Sequence, residues 1–197
     1  EGKRVLEVGA GIGLHTHFFE EQECKITSTD GRRENVDAMR KNFPNRDIRL
    51  FNLLDFDSYS GFEQFDVIYC YGTLYHTPKP KEILEGLSFL CREMILLETC
   101  VSIGTHLSSH LVRESDSFDQ AIGTIGCRPT RPWLMDVLKN CYGYAYATKT
   151  QPRHPDFDLD WQIPLKKQNR RAVFVGSKQP IKNPLLLTEL PDFQDYA

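Results

Sequence analysis

The chain has 197 residues, of which 40% are hydrophobic and 26% charged, a composition typical of a single globular domain with a sizeable core. Its formal net charge of −3 argues against non-specific binding to nucleic acid. No apolar run approaches the length of a membrane span, and no signal peptide is visible. The six cysteines form no C-x-x-C pair, which indicates free thiols in a reducing compartment. We therefore expect one cytoplasmic domain.

The first predicted element is a short buried strand that opens into a glycine-rich turn, VLEVGAGIG at residues 5–13. Apolar residues followed by closely spaced glycines are typical of a parallel strand that ends in a tight turn before a helix. Gly9, Gly11 and Gly13 permit positive φ and close approach of a ligand to the backbone. The free N–H groups of the next helix point back at that ligand. The stretch predicts a ligand-binding loop at the carboxyl end of the first strand.

The spacing of these glycines narrows the choice of ligand. A dinucleotide fingerprint reads G-x-G-x-x-G, whereas this chain reads E-x-G-x-G-x-G from Glu7 onward. This pattern resembles the first motif of the class I S-adenosylmethionine-dependent methyltransferases. The resemblance implies S-adenosyl-L-methionine as cofactor and S-adenosyl-L-homocysteine as its product. It also implies that Glu7 and the backbone of Ala10 face the amino-acid portion of the cofactor.

A helix over residues 12–21 and a short second strand over residues 24–29 follow, and that strand ends at Asp30. A carboxylate at the tip of strand two can accept hydrogen bonds from both hydroxyls of a ribose. The resemblance implies that Asp30, with Gly31 beside it, binds the adenosine portion of the cofactor. The same geometry serves NAD, so Asp30 alone predicts a nucleoside ligand of either kind.

A polar-faced helix over residues 32–43 and a third strand over residues 47–52 come next. In the family, an acidic residue after strand three meets the adenine amino group and a neighbouring backbone N–H meets the ring. The resemblance assigns these roles to Asp55 and Leu54, with Asp57 as a weaker substitute. The alternative is that Asp55 only caps a turn.

The second motif is FDVIYC at residues 65–70, a fourth strand, followed by Tyr71, Gly72, Thr73 and then L-Y-H at residues 74–76. It resembles the fourth motif of the same methyltransferases, in particular the subset with L-Y-H after the strand. Two motifs in the correct order are more specific than either alone. The resemblance implies that the backbone of Tyr71 and Gly72 faces the amino-acid portion of the cofactor. Tyr75 is expected to shape the cavity at its methionine end.

His76 is the candidate catalytic residue. S-adenosylmethionine carries an activated methyl group, so the protein mainly positions the reactants. An oxygen nucleophile also benefits from a base whose pKa is near neutral, and His76 follows the strand-four turn where such a base is needed. The alternative is a structural histidine that caps the next helix.

The remaining pattern predicts a helix over 79–91, a fifth strand over 94–98, a helix over 130–140 capped by Thr130, and strands over 144–150 and 171–177. Residues 101–127, polar and without periodicity, and residues 151–169 are expected to be substrate-side loops of the same single domain. The resemblance implies an α/β fold, a Rossmann-like three-layer α/β/α sandwich whose seven-stranded mixed sheet has the order 3-2-1-4-5-7-6. The helices that the family usually carries before the first strand are expected to be absent from this stretch.

Two further sets of polar residues, one of histidines and aspartates and one of basic residues, each permit more than one interpretation. His106 and His110 precede Asp116 and Asp119, which permits a metal hypothesis, but a polar substrate loop is favoured and no metal is predicted. The basic residues before the last strand are expected to form a solvated edge, with an RNA-contacting stripe as the alternative. These residues are Lys166, Lys167, Arg170 and Arg171.

The predicted function is methyl transfer from S-adenosyl-L-methionine to a small or medium acceptor, preferably an oxygen of a sugar or natural product. That preference comes from the resemblance alone. A tRNA-modifying alkyltransferase of the wobble-uridine type, an NAD-dependent oxidoreductase and a cofactor-binding protein without catalysis stay open. The expected partner is a small molecule, with neither nucleic acid nor membrane.

Overall fold

The computed structural model describes residues 2–115, 122–163 and 170–197. Its strands are β1 (Arg4–Val8), β2 (Lys25–Asp30), β3 (Asp47–Leu50), β4 (Phe65–Tyr71), β5 (Cys91–Val101), β6 (Ser109–Arg113), β7 (Ile125–Pro129), β8 (Tyr144–Thr148), β9 (Thr150–Gln151), β10 (Arg170–Ser177), β11 (Leu186–Leu187) and β12 (Asp195–Tyr196). Its α-helices are α1 (His17–Glu21), α2 (Arg33–Asn42), α3 (Pro80–Leu90) and α4 (Arg131–Tyr142). Two 3-10 helices span Phe56–Gly61 and Leu74–His76.

The main sheet has the strand order β11-β8-β10-β5-β4-β1-β2-β3. Strands β1 to β5 pair in parallel, whereas β10 is antiparallel to both β5 and β8. The predicted α/β class with a mixed sheet is therefore confirmed. With β8 and β10 as the sixth and seventh strands, the order also follows 3-2-1-4-5-7-6. The predicted count of seven strands is wrong, because the two-residue edge strand β11 adds an eighth.

The core divides into two apolar clusters that lie under different helices. The larger cluster joins the sheet to α3 and α4, and the smaller one contains Val36 and Met39 of α2 with Ile48 of β3. Ile83 and Leu87 of α3 are fully buried, and each such side chain contributes roughly 1.5–3 kcal/mol to stability. Helices packed on two groups of core residues are what a three-layer sandwich requires.

The helix predicted over residues 12–21 is shorter than expected, because α1 covers only His17–Glu21. Gly11 and Gly13 have φ of 58° and 84°, which keeps the chain in turns after β1. Thr16, which precedes α1, does not cap the helix with its side chain. Its hydroxyl instead donates to the Glu7 carboxylate, 2.6 Å away.

The polar insertion is not an irregular loop over its described residues, 101–115 and 122–127. Strand β5 continues to Val101, beyond the predicted end at residue 98, and β6 and β7 form an antiparallel hairpin in which Ser109 pairs with Pro129. None of the five residues of β6 is fully buried. Because neither face of β6 is buried, its sequence has no alternation of apolar and polar residues to indicate a strand.

All six cysteines have free thiols, and four of them are buried in the described structure. Burial raises the pKa of the Cys70 thiol to about 12, so this side chain acts as a small apolar core residue. Among the helices that the structure describes, none combines the length and the apolar character that crossing a membrane would need.

Candidate active site

The glycine loop, residues 9–13, joins β1 to the turn before α1 and lies against the tip of β2. The Gly11 N–H donates to Asp30 Oδ2 at 2.9 Å, and the Ala10 N–H donates to the Thr29 carbonyl at 2.8 Å. A Cβ placed on Gly11 would have no heavy atom within 4 Å, so this face of the loop opens on free space. A loop with an open backbone face and an acid beside it fits the nucleoside and amino-acid portions of S-adenosylmethionine.

Glu7 lies beneath the glycine loop and is only 2% exposed. Its Oε2 accepts hydrogen bonds from the hydroxyls of Thr16 at 2.6 Å and Ser28 at 2.7 Å. These bonds satisfy a buried carboxylate and tie β1, β2 and the start of α1 together. The role of Glu7 at the amino-acid end of a cofactor stays a prediction.

Asp30 closes the site at the tip of β2. Its Oδ1 accepts from the Arg32 N–H at 2.8 Å and from Asn35 Nδ2 at 3.1 Å, while its Oδ2 accepts from the Gly11 N–H. An ionised carboxylate offers about four acceptor positions, so these three bonds leave capacity for a ribose hydroxyl. A Cβ on the adjacent Gly31 would lie 2.9 Å from Ile122 Cδ1, which shows that the chain between β6 and β7 reaches this point.

The two residues predicted to meet adenine follow β3. The Leu54 N–H donates to Asn52 Oδ1 at 3.0 Å, so a bond to adenine would have to replace this contact. Asp55 is exposed and precedes the first 3-10 helix, where its side chain makes no capping hydrogen bond. The structure thus gives no support to the capping alternative, and the adenine contacts stay predictions.

The turn after β4 touches the glycine loop through Thr73. Its hydroxyl lies 3.2 Å from the Val8 carbonyl and 3.3 Å from the Gly9 carbonyl, either of which can accept its proton. A Cβ on Gly9 would overlap the Thr73 side chain, because it would lie 2.7 Å from the Thr73 Cβ and closer to the hydroxyl. The two sequence motifs are therefore in direct contact. Sequence reasoning gave Thr73 no role, since only the folded chain brings it to Gly9.

A buried ion pair forms the wall beside this turn. Glu98 of β5 is 0% exposed, and both of its carboxylate oxygens accept from Arg171 Nη1, at 3.1 and 3.0 Å. The other guanidinium nitrogen, Nη2, donates to the Tyr75 hydroxyl at 2.7 Å, and the Gly72 N–H donates to the Glu98 carbonyl at 3.3 Å. Burial raises the pKa of Glu98, and the charge of Arg171 opposes that effect. The ring of Tyr71 lies 5.6 Å from that of His15, between centroids.

The prediction of a solvated basic edge is wrong for Arg170 and Arg171. Arg170 is 2% exposed and its Nε lies 2.6 Å from Asp158 Oδ2, while Arg171 is paired with Glu98. Both arginines start β10 inside the sheet beside β5, which is why they are not solvated. These two arginines are therefore not part of an RNA-contacting surface. Lys166 and Lys167 lie outside the described residues.

His76 faces the β6–β7 hairpin instead of capping α3. Its Nδ1 lies 2.5 Å from Glu114 Oε2, and the other oxygen of Glu114, Oε1, accepts from Arg128 Nη1 at 3.1 Å. In the described parts of the chain no residue hydrogen-bonds Nε2 of this ring. Burial lowers the pKa of His76, and Glu114 opposes this effect. A histidine held at one nitrogen can exchange a proton at the other. No motif marks Glu114 in the sequence, because it lies in the polar insertion.

The residues considered for a metal do not form a cluster in the described structure. The rings of His106 and His110 are 5.9 Å apart, and His110 Nε2 is 3.0 Å from Ser108 Oγ. Asp116 and Asp119 lie outside the described residues. Across residues 2–115, 122–163 and 170–197, no group of three or more His, Cys, Asp or Glu is arranged to hold a metal ion.

Comparison with known proteins shows what this part of the chain is similar to. Residues 6–93 match a family model described as a methyltransferase domain. A stretch of 98 residues is 31% identical to the ubiquinone biosynthesis O-methyltransferase of Actinobacillus pleuropneumoniae serotype 7 (strain AP76). The match covers 46% of this chain and 42% of that relative, so the chain matches less than half of the relative's length.

Solved structures resemble the whole described fold. The N-terminal domain of EvdMO1, crystallised with S-adenosylhomocysteine and D-fucose, has a TM-score of 0.69 at 19% identity, over 90% of this chain and 76% of its own. The 1,6-didemethyltoxoflavin-N1-methyltransferase of Burkholderia thailandensis, with 1,6-didemethyltoxoflavin and S-adenosylhomocysteine bound, has a TM-score of 0.60 at 20% identity, over 91% of this chain and 72% of its own. At these identities the likeness concerns the fold, which is the Rossmann-like fold predicted from the sequence.

Proposed function

We propose that this chain is a class I S-adenosylmethionine-dependent methyltransferase, which transfers a methyl group from S-adenosyl-L-methionine to a small-molecule acceptor. The observation that carries the proposal is the contact between Thr73 and the backbone of Val8 and Gly9. That contact places the glycine loop, which is suited to the cofactor, beside the turn that bears His76. Binding and chemistry therefore share one edge of the sheet.

The cofactor would be held by three groups of residues. The backbone of the glycine loop, with Glu7, Tyr71, Gly72 and Tyr75, would surround its amino-acid and methionine end. Asp30 and Gly31 would contact the ribose, and Leu54 and Asp55 the adenine. When bound, the cofactor supplies a methyl group on a positively charged sulfur, which is already activated for in-line displacement. The protein then has to hold the acceptor in line, which is the kind of positioning that accelerates reactions by several orders of magnitude.

An oxygen acceptor suits the state of His76. A hydroxyl must lose its proton during methyl transfer, and a neutral imidazole nitrogen can accept it. Burial lowers the pKa of His76, so the ring is neutral at pH 7 and its Nε2 carries no bond to a described residue. The names of the O-methyltransferase relative and of the EvdMO1 complex with D-fucose support an oxygen of a sugar or natural product. The Burkholderia thailandensis enzyme is named for a nitrogen, so the fold by itself does not select the atom.

The test is a turnover experiment with the purified chain. Methyl-labelled S-adenosylmethionine is incubated with 6-deoxyhexoses including D-fucose, with phenols, and with the matching O-methylated compounds as blocked controls. We expect label transfer to a free hydroxyl compound and none to its blocked partner. The His76→Asn variant should lower kcat by about 10²–10⁴-fold while it still binds S-adenosylhomocysteine. Label transfer to amines alone would contradict the oxygen assignment. Cofactor binding without turnover on any compound would contradict the catalytic proposal.

A further inference from the structure

The β6–β7 hairpin is the part of the structure that neither cofactor motif explains, yet it packs directly on the L-Y-H turn, residues 74–76. The Cys127 thiol lies 3.6 Å from the Leu74 carbonyl, and Arg128 Nη1 lies 3.3 Å from the Tyr75 carbonyl. A Cβ on Gly126 would overlap the Tyr75 carbonyl oxygen, so β7 approaches the turn as closely as a glycine allows. The hairpin is thus fixed against the backbone that orients His76.

Glu114, directly after β6, presents both of its carboxylate oxygens to this contact. Its side chain is 3% exposed, with Oε2 on His76 Nδ1 at 2.5 Å and Oε1 on Arg128 Nη1 at 3.1 Å. Burying a carboxylate is costly unless it is paired and hydrogen-bonded, and Arg128 supplies the opposite charge. A carboxylate that only anchored the hairpin would need Arg128 alone. The second oxygen is directed instead at one nitrogen of the candidate base.

We propose that Glu114 is the positioning residue of His76: it accepts the Nδ1 proton and so fixes the neutral tautomer whose Nε2 lone pair can take a proton from an acceptor hydroxyl. In that step the acceptor oxygen forms a bond to the methyl carbon as the carbon–sulfur bond breaks. The electron pair of the broken carbon–sulfur bond passes to sulfur. The hydroxyl proton passes to Nε2. A base oriented by a third group is a general arrangement for activating oxygen nucleophiles. The inference rests on the proposed function through the role of His76.

Three charged side chains act on His76 besides its burial, which is the largest effect and lowers its pKa. Glu114 raises that pKa, and the guanidinium groups of Arg128 on β7 and Arg171 on β10 lower it. The ring is therefore neutral before a proton arrives. Glu114 stabilises the imidazolium that forms afterwards. Arg128 Nη1 donates to Glu114 Oε1 at 3.1 Å, which leaves Oε2 as the acceptor that faces Nδ1.

The tautomer is measured directly by ¹⁵N NMR of the histidine side chains in the full chain, with His76→Asn to assign the signals. In the unchanged protein we expect His76 to be protonated at Nδ1 and bare at Nε2. In Glu114→Gln the amide oxygen must face Arg128, which only donates, so the amide NH₂ faces Nδ1. Nδ1 then becomes an acceptor, the proton moves to Nε2, and the pKa of His76 falls further. Glu189→Gln, which removes a carboxylate at an exposed position, should leave the tautomer and the pKa of His76 unchanged.

The result that would overturn the proposal is an Nε2-protonated His76 in the unchanged protein, whose side-chain contacts no substitution perturbs. An unchanged tautomer and pKa in a folded Glu114→Gln would overturn it too. Calorimetric binding of S-adenosylhomocysteine should stay within about twofold in every variant, so a failure of positioning is distinguishable from a failure of the cofactor assignment. Once an acceptor is found, Glu114→Gln should lower kcat by about 10²–10⁴-fold with the cofactor KM unchanged, and Glu114→Asp should restore part of it.

Discussion

Gly9 is the residue at which the glycine loop and the turn after β4 come closest. Its φ is 68°, and a Cβ would lie 2.7 Å from the Thr73 Cβ. We expect Gly9→Ala to lower the free energy of unfolding by about 1–2 kcal/mol from the backbone conformation alone, with a further loss from the overlap. Because the loop must shift, S-adenosylhomocysteine binding should also weaken. Chemical denaturation and calorimetry measure the two effects.

Gly61 offers a matched control for this substitution. It lies at the end of the first 3-10 helix, and a Cβ there would have no heavy atom within 4 Å. Gly61→Ala should change the free energy of unfolding by no more than about 0.5 kcal/mol and leave binding unaffected. If Gly9→Ala behaved like Gly61→Ala in both measurements, the contact between the two motifs would not matter for the site.

The pH dependence of methyl transfer follows from the ionisation of His76. Burial lowers its pKa below the usual value of about 6.5, against the opposing effect of Glu114. The neutral, proton-accepting ring is therefore the main form at pH 7 and is lost only as the pH falls through the lowered, folded-state pKa. With the acceptor identified, kcat/KM should show no His76 inflection above pH 7 and should decline on the acid side.

A substitution at an exposed histidine separates this effect from the general titration of the protein. The His154 side chain is 58% exposed, and His154→Asn should leave the pH profile unchanged. In His76→Asn the acid-side decline should disappear along with most of the rate. An inflection above pH 7 in the unchanged protein would contradict a neutral His76 base.

At the scale of elements, the hairpin and the L-Y-H turn depend on close packing at Gly126. A Cβ there would overlap the Tyr75 carbonyl and lie 2.6 Å from Glu114 Oε1. We expect Gly126→Ala to cost about 1–3 kcal/mol in the free energy of unfolding and to shift the His76 ring signals in NMR spectra.

Gly123 lies in the same region of the chain, and a Cβ there would have no heavy atom within 4 Å. Gly123→Ala should therefore be close to neutral and should leave the His76 signals in place. Equal effects of the two substitutions on stability and on His76 would show that the β7 contact does not orient the turn.

The sequence predicts well those elements that bury one face, because their apolar residues recur with a regular period. Ile83, Leu84 and Leu87 recur at helical spacing, and all three are fully buried in α3. The hairpin escaped prediction because β6 has exposed or half-buried residues throughout. The start of α1 was misplaced because the positive φ angles of Gly11 and Gly13 keep the chain in turns beyond the predicted start at residue 12.

The site residues that could be predicted lie close together in the sequence, whereas those that could not be predicted pair over long distances along the chain. Gly9, Gly11 and Asp30 were predictable because they lie within one continuous strand–helix–strand segment, β1 to β2. His76 and Glu114 are 38 residues apart, and Glu98 and Arg171 are 73 apart. Their pairing depends on how β7 meets the turn and how β10 meets β5, and no local pattern encodes it.

At the scale of the whole molecule, the strand directions explain why these residues share one edge. The parallel strands β1, β2 and β4 end there, and β5 passes the same point at Glu98 before it ends at Val101. This brings Val8, Asp30, Tyr71 and Glu98 to the same end of the sheet. Strand β10 runs antiparallel to β5, so Arg171 begins where the others end. Ligands of open α/β sheets bind at this edge, which is the physical basis for a single cofactor site.

The central claim is that this edge binds S-adenosylmethionine, and calorimetric titration of the purified chain with S-adenosylhomocysteine and, separately, with NAD tests it most directly. The matched variants are Asp30→Asn and Asp37→Asn, since the Asp37 side chain is 62% exposed on α2. In Asp30→Asn the amide NH₂ must face the N–H of Gly11 or of Arg32, because each carboxylate oxygen now accepts from one of them. We expect micromolar binding of S-adenosylhomocysteine, no heat with NAD, a loss of about tenfold or more in Asp30→Asn, and no change in Asp37→Asn. Heat with NAD but none with S-adenosylhomocysteine, or equal affinities in the two variants, would contradict the assignment of this site.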